Sequence, residues 1–171
     1  PLPGRHNAVN SAIAVAIGDL LGVSEEEEAR GLMAADLTGN RLKKRENGGV
    51  CVIDDTYNAS PDSMKSALRV LERSSCKGRR VAVLGDMYEL GEDSDQQHFD
   101  VGRFAGKLEI DTIIGIGEHA AKICEGAEGG RPKTAYYEKK EDFYQDKDRF
   151  IGNGDIILVK GSRGMKMEQV V

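Results

Sequence analysis

Val50-Cys51-Val52-Ile53-Asp54-Asp55-Thr56-Tyr57-Asn58-Ala59-Ser60-Pro61-Asp62-Ser63-Met64 reads as the end of a buried strand, a short polar turn and the start of a helix. An apolar run feeds two adjacent carboxylates. Ser60 then supplies an N-cap and Pro61 the first helical position. Polar groups at the carboxyl end of a strand, beside a helix N-terminus, are where open α/β sheets bind ligands. Taken by itself the stretch is also a capped βα turn in which one Asp serves as turn residue, so the rest of the chain has to decide.

Downstream, strand and helix patterns alternate. The helix opened by Pro61 runs to about residue 73, with Met64, Ala67, Leu68 and Leu71 as its apolar stripe. Strand patterns follow at 80–85, 111–117 and 155–160, with a short edge strand at 134–137. Helix patterns cover 94–107, 118–125 and 140–151, and a last helix is expected from about Met165. Ile156-Ile157-Leu158-Val159 has no alternation, the mark of a strand buried on both faces. The fold class is therefore α/β: a mostly parallel sheet, helices on both faces, right-handed crossovers.

In such a sheet all strand ends lie on one edge, so the loops 54–60, 85–91 and 161–164 converge. They would bring Asp55, Tyr57, Asn58, Asp86, Glu89, Ser162 and Arg163 toward one cleft. The carboxylates could hold an ammonium group or ribose hydroxyls, and Arg163 could grip a carboxylate with two parallel hydrogen bonds.

Upstream, residues 5–21 carry an Ala/Val/Ile/Leu-rich helical pattern with Asn7 and Asn10 on one face of its start. Ser24-Glu25-Glu26-Glu27 is a capping box opening a second helix to about Ala35, whose acidic first turn suits the helix dipole. Two helices with no strand between them look like the end of one unit. The polar break Asp36-Leu37-Thr38-Gly39-Asn40 is the expected boundary, giving segments 1–36 and 37–171. Arg41, Lys43, Lys44 and Arg45 follow, as a solvated strand edge or as phosphate contacts.

Composition excludes several classes. The chain has 171 residues, 39% hydrophobic and 31% charged, as expected of a water-soluble globular protein. No apolar run approaches the roughly 18–20 residues of a membrane span, and the start, Pro-Leu-Pro-Gly-Arg-His, lacks a signal peptide's apolar core. Cys51, Cys76 and Cys124 are odd in number and without a CxxC, which fits a reduced, cytoplasmic protein and no metal site. A net charge of −5 and the absence of Trp argue against nucleic acid as partner.

Two nucleotide motifs also bear on function. Gly115-Ile116-Gly117-Glu118-His119-Ala120 matches GxGxxA between a strand and a helix, and Glu138 lies about 20 residues on. It sits on the third strand before a short helix, where glycines also serve a tight turn. A non-catalytic dinucleotide-binding module is the alternative it keeps open. No Walker A motif is present; the stretch ending Gly106-Lys107-Leu108 lacks the first glycine and the Ser/Thr after Lys.

Gly4-Arg5-His6-Asn7-Ala8-Val9-Asn10-Ser11-Ala12 resembles the segment that closes the central ATPase domain of the Mur ligases. Asp54 to Met64, Leu84-Gly85-Asp86-Met87-Tyr88-Glu89-Leu90-Gly91 and Val159-Lys160-Gly161-Ser162-Arg163-Gly164-Met165-Lys166-Met167-Glu168 are similar to the C-terminal domain of the same family. The likeness extends through Leu37-Thr38-Gly39-Asn40-Arg41, with one departure: Asn40 stands where relatives often have Gly or Met. It points to the branch that joins D-alanyl-D-alanine to UDP-N-acetylmuramoyl-tripeptide in bacterial peptidoglycan synthesis. The resemblance implies an ATP-dependent amide ligase working through an acyl phosphate, with Mg2+ held mainly by the central domain. The chain would be a Rossmann-like C-terminal domain preceded by the last two helices of that ATPase domain, in intramolecular contact with central and N-terminal domains. The P-loop and the catalytic residues are then expected upstream, and the segment alone is expected to be inactive. By the same resemblance Asn7, Asn10, Arg41, Asp55, Tyr57 and Asn58 would bind ATP. Asp86, Glu89, Ser162 and Arg163 would bind D-alanyl-D-alanine. A different amide ligase of the superfamily, such as folylpolyglutamate synthetase, is the other reading.

Overall fold

The computed structural model describes residues 5–35 and 41–171, and the expected boundary at 36–40 lies outside them. The chain divides into two compact units, Pro1–Gly39 and Asn40–Val171.

The first unit holds helices α1 (Arg5–Leu21) and α2 (Glu25–Ala34). At the end of α1, the amides of Gly22 and Val23 donate to the carbonyls of Asp19 and Gly18, closing the last turn. Ser24 and Glu27 form the reciprocal capping box that opens α2. Along α1, Val9, Ile13, Ile17 and Leu20 recur at helical spacing and stand 52–87% exposed.

The second unit is a six-stranded sheet in the order β1-β2-β6-β3-β4-β5. Its strands are β1 (Lys43–Asn47), β2 (Val50–Asp55), β3 (Arg80–Gly85), β4 (Thr112–Ile116), β5 (Lys133–Tyr137) and β6 (Ile156–Lys160). Only β1, hairpinned to β2, is antiparallel; its five residues are all exposed, as basic edge strands are. The helices are α3 (Pro61–Arg73), α4 (Ser94–Ala105), α5 (Ala120–Ala127) and α6 (Lys140–Asp146). Ser60 and Ser63 cap α3 reciprocally with Pro61 at its first turn, as the sequence predicts.

The topology places helices on both faces. From β2 to β5 the chain advances across the sheet through α3, α4 and α5, and right-handed crossovers keep these on one face. The return from β5 to β6 runs back through α6, on the other face. There Phe143 of α6 and Met167 pack with Val81, Val83, Ile114 and Val159. Between α4 and α5 the backbones nearly touch: a Cβ on Gly102 would collide with the carbonyl of Ile123, and one on Gly126 with that of Phe99. β6, inserted between β2 and β3, is buried at every position.

Two sequence expectations are corrected. The expected final α-helix is instead a pair of 3-10 turns, Arg163–Met165 and Met167–Val170. Lys166 between them is left-handed (φ 50°), and Lys140 Nζ takes the carbonyls of Met165 and Lys166, which an α-helix would use internally. The segment 140–151 is α-helical only to Asp146 and tightens to a 3-10 turn at Lys147–Arg149.

Candidate functional site

The paired carboxylates at the end of β2 point to opposite faces, as successive strand residues must. Asp54 is fully buried; it accepts Arg45 Nη2 at 3.0 Å and the Thr56 hydroxyl at 2.8 Å. Asp55 lies directly beside Lys160 in the parallel β2–β6 register. Its Oδ2 accepts Lys160 Nζ at 2.6 Å, and its Oδ1 accepts the amide of Leu42 at 3.2 Å. Lys160 also donates to the Asn58 carbonyl at 2.8 Å. Burial pushes the Lys160 ammonium below its ordinary value, opposed by Asp55. The sequence reading passed over Lys160; its signal was a lone ammonium ending an otherwise apolar strand.

Above this pair the turn exposes Tyr57. The Arg41 guanidinium lies 4.7 Å from the centre of its ring and that of Arg163 lies 5.6 Å away. Cation–π contact steers both, and in mixed water and protein each is worth about 0.5–1 kcal/mol. Three chain segments, before β1, after β2 and after β6, thus meet on one aromatic. None of the ion pairs among the described residues involves either arginine, so the ring carries two cations that suit an anionic ligand.

The loops after β3 and β6 are stitched to each other. Ser162 donates its amide to the Asp86 carbonyl at 2.9 Å, and its hydroxyl accepts the Tyr88 amide at 2.8 Å. The Tyr88 hydroxyl reaches Met165 sulfur at 2.9 Å. Glu89 sits at the exposed loop tip in the left-handed region (φ 63°), a conformation costing a non-glycine residue about 1 kcal/mol or more. His98, fully buried, accepts the Met87 amide at Nε2 (2.8 Å) while Nδ1 donates to the Ser94 carbonyl (2.7 Å), which fixes one neutral tautomer. Its ring stacks on His119 at 5.4 Å, and His119 pairs with Asp95.

The Asp86 side chain turns toward the start of α5. Its carboxylate accepts the amide of Ala120 at 2.8 Å, where α5 begins, and burial pushes its pKa up. This answers the GxGxxA motif. Gly117 is at φ +117°, and a Cβ there would stand 2.6 Å from the Asp86 oxygens. The place a pyrophosphate would take at the helix N-terminus holds a carboxylate of the protein itself, and the dinucleotide reading fails on geometry.

The structure therefore brings Arg41, Tyr57 and Arg163 together, hangs Asp55 and Asn58 on Lys160, and uses Asp86 and Ser162 to shape loops. Asn7 is buried and Asn10 exposed on α1, in the first unit. No group of three His, Cys, Asp or Glu suited to a metal occurs among the described residues. Asp54 and Asp55 each already face a cation, so this donor set does not fit magnesium.

This fold, a mostly parallel sheet with two cations and an aromatic ring at its carboxyl edge, is shared with the C-terminal part of a class of ligases. The chain belongs to that class, the Mur ligase family: the pattern described as Mur ligase, glutamate ligase domain, matches residues 40–163. It is 37% identical to the UDP-N-acetylmuramoyl-tripeptide–D-alanyl-D-alanine ligase of Bacillus subtilis, an alignment that takes in 100% of this chain and 38% of the relative. The crystal structure of MurF from Acinetobacter baumannii superposes with a TM-score of 0.90 at 35% identity, covering 99% of this chain and 37% of that one. MurF ligase from Thermotoga maritima, solved in complex with ADP, superposes at 0.78 with 28% identity over 98% and 37%. The chain thus spans little more than a third of the length of these relatives.

Proposed function

We propose that this chain is the C-terminal part of an ATP-dependent ligase that joins D-alanyl-D-alanine to UDP-N-acetylmuramoyl-tripeptide in cytoplasmic peptidoglycan-precursor synthesis. The observation that carries the reading is the meeting of Arg41 and Arg163 on Tyr57, which would unite a nucleotide-side loop with an amine-side loop. Relatives bearing that ligase name align with the whole chain at 36–37% identity, which supports the branch. Three free cysteines fit the cytoplasm, and no helix of the described residues is long and apolar enough to cross a membrane.

In this reading residues 1–36 complete a central ATPase domain, and 37–171 form the closing domain. The exposed apolar stripe of α1 supports the first part, because a lone helical pair buries little of its own surface. ATP, when bound, supplies the phosphoryl group that activates the tripeptide carboxylate for the amine. Arg41, Asp55, Tyr57 and Asn58 would line its ribose and phosphates, with Asn7 and Asn10 toward the adenine. The two guanidiniums fit such a polyanion. Glu89 and Arg163, both exposed, would meet the ammonium and carboxylate of D-alanyl-D-alanine on loops that Asp86 and Ser162 hold in shape. Magnesium would be held by groups outside the described residues. The contribution of these residues is positioning: fixing the amine beside the activated carboxyl is worth up to roughly 7–11 kcal/mol in favourable cases.

Steady-state kinetics of the full-length protein test the proposal, with ATP, UDP-tripeptide and D-alanyl-D-alanine each varied. Asp55→Ala is expected to act mainly on ATP use and Arg163→Ala mainly on D-alanyl-D-alanine use. Unchanged parameters would refute the residue assignments, and no ATP-dependent joining by the parent protein would refute the function.

A further inference from the structure

Lys160 is the one charged residue of β6, and it is 2% exposed. A buried lysine–carboxylate pair is a poor device for stability alone, since desolvating both charges cancels most of their attraction. What the ammonium holds is more telling. It fixes the Asn58 carbonyl directly, at 2.8 Å, and so one end of the turn that displays Tyr57. Through Asp55 it reaches Leu42: Oδ2 of Asp55 takes the ammonium at 2.6 Å while Oδ1 takes the Leu42 amide at 3.2 Å.

Leu42 is itself unusual. It is left-handed (φ 50°) and 8% exposed. An L-residue keeps that conformation only where its surroundings impose it. The Asp55 hydrogen bond is such an imposition, and it lies one residue from Arg41, whose guanidinium then falls over the Tyr57 ring. Three residues beyond Lys160, Arg163 reaches the same ring and closes the circuit.

We infer that Lys160 is a positioning residue of the nucleotide site, acting through Asp55 and Leu42 on the direction of Arg41. The inference rests on the ligase reading above. It places no ligand on Lys160 itself, which is buried beneath the residues it aims.

The test uses the full-length protein carrying Lys160→Met, read three ways: melting temperature, equilibrium binding of ADP by calorimetry, and KM for ATP and for D-alanyl-D-alanine. A misplacement of about 1 Å costs on the order of 100-fold in favourable cases. The expected result is ADP binding and ATP KM weakened about tenfold or more, with the D-alanyl-D-alanine KM changed much less. Lys160→Gln, which keeps a hydrogen-bond donor for Asp55, should fold where the methionine variant does not and should recover part of the ADP affinity. A folded variant with ADP binding unchanged, or with both KM values raised alike, overturns the inference. So does a chain that folds with neither substitution, because the pair would then be a support of the whole sheet. A parent protein without ATP-dependent joining would refute the ligase reading, yet ADP binding would still read the role of Lys160.

Discussion

The carboxylate of Asp86 accepts the amide hydrogen of Ala120 at 2.8 Å and so caps α5 from the neighbouring strand's loop. A negative group at the positive end of a helix is stabilising, and here it comes from within the chain. Gly117 makes room for it. Gly117→Ala places a Cβ against the carboxylate at a backbone angle that L-residues avoid. It is expected to destabilise the chain by about 2 kcal/mol or more. Urea unfolding measures this, and a midpoint within error of the parent would refute it.

The same geometry predicts no saturable binding of NADH at 115–120. Fluorescence titration checks it; saturable binding abolished by Gly117→Val would restore the dinucleotide reading.

Tyr57 serves two arginines from two loops. In the full-length protein Tyr57→Leu is expected to raise the KM for ATP and for D-alanyl-D-alanine together. Tyr57→Phe, which keeps the ring face, should stay within about threefold of the parent, since only the hydroxyl is lost. A leucine variant with either KM unmoved would separate the two loops.

Stability should fall as the pH drops below neutrality. Burial pushes His98 below the ordinary histidine value, against the pull of Asp86 and Asp95 and with the repulsion of His119. Below about pH 6.5 the unfolded chain takes a proton that the folded chain resists, so the His98 contribution is lost as pH falls toward the folded value. His119 has the opposite sign: its bond to Asp95 raises its pKa, and its contribution is full below about pH 6.5 and lost as pH rises through the folded value. His98 is the buried partner and should set the net slope. Melting temperatures between pH 7.5 and 5.5, about the histidine range, are expected to decline in the parent and to decline less in His98→Gln. Equal slopes would remove His98 from the account.

Asp155 ties the starts of β3 and β6. It accepts the Arg79 amide at 2.7 Å, Arg79 Nη2 at 2.8 Å and the Gly152 amide at 2.8 Å. Burial alone would raise its pKa, yet these bonds hold it below the ordinary carboxylate value. Its stabilisation is therefore present above about pH 3.9 and lost as pH falls through the folded value. Asp155→Ala leaves amides unpaired and should cost about 2–3 kcal/mol. Arg79→Ala should cost less, since that guanidinium is 44% exposed. Chemical unfolding of both variants gives the order; the reverse order would refute it.

The 171 residues contain no Walker A motif. The purified chain is expected to hydrolyse no ATP. Phosphate release above the buffer rate, in a preparation free of contaminating ATPase, would overturn this.

Much of the fold is legible in the sequence because its signals are local. Ser60-Pro61, the apolar stripe Met64-Ala67-Leu68-Leu71 and the unbroken run Ile156–Val159 each reflect neighbours within a few residues. The last turns are not legible for the same reason. Nothing near Lys166 announces its left-handed backbone, and the side chain that takes the carbonyls around it, Lys140, is distant in sequence. Convergence of three loops was also legible, since parallel strands share an edge. The direction of each side chain within those loops was not. Asp86 and Arg163 stood as equals in the sequence, yet one caps α5 and the other lies on Tyr57.

By itself the sequence determined the α/β class, the order of strands and helices from β2 to β6 and, through its motifs, the family, because periodicity, caps and motifs are carried by neighbouring residues. Only the tertiary structure decided what the charges do. Inserting β6 between β2 and β3 sets Lys160 beside Asp55 across 105 positions of chain. It also delivers Arg163 to a ring that Arg41 already faces. Such pairings depend on which strands become neighbours, and that is settled by packing the whole sheet rather than by any stretch of it.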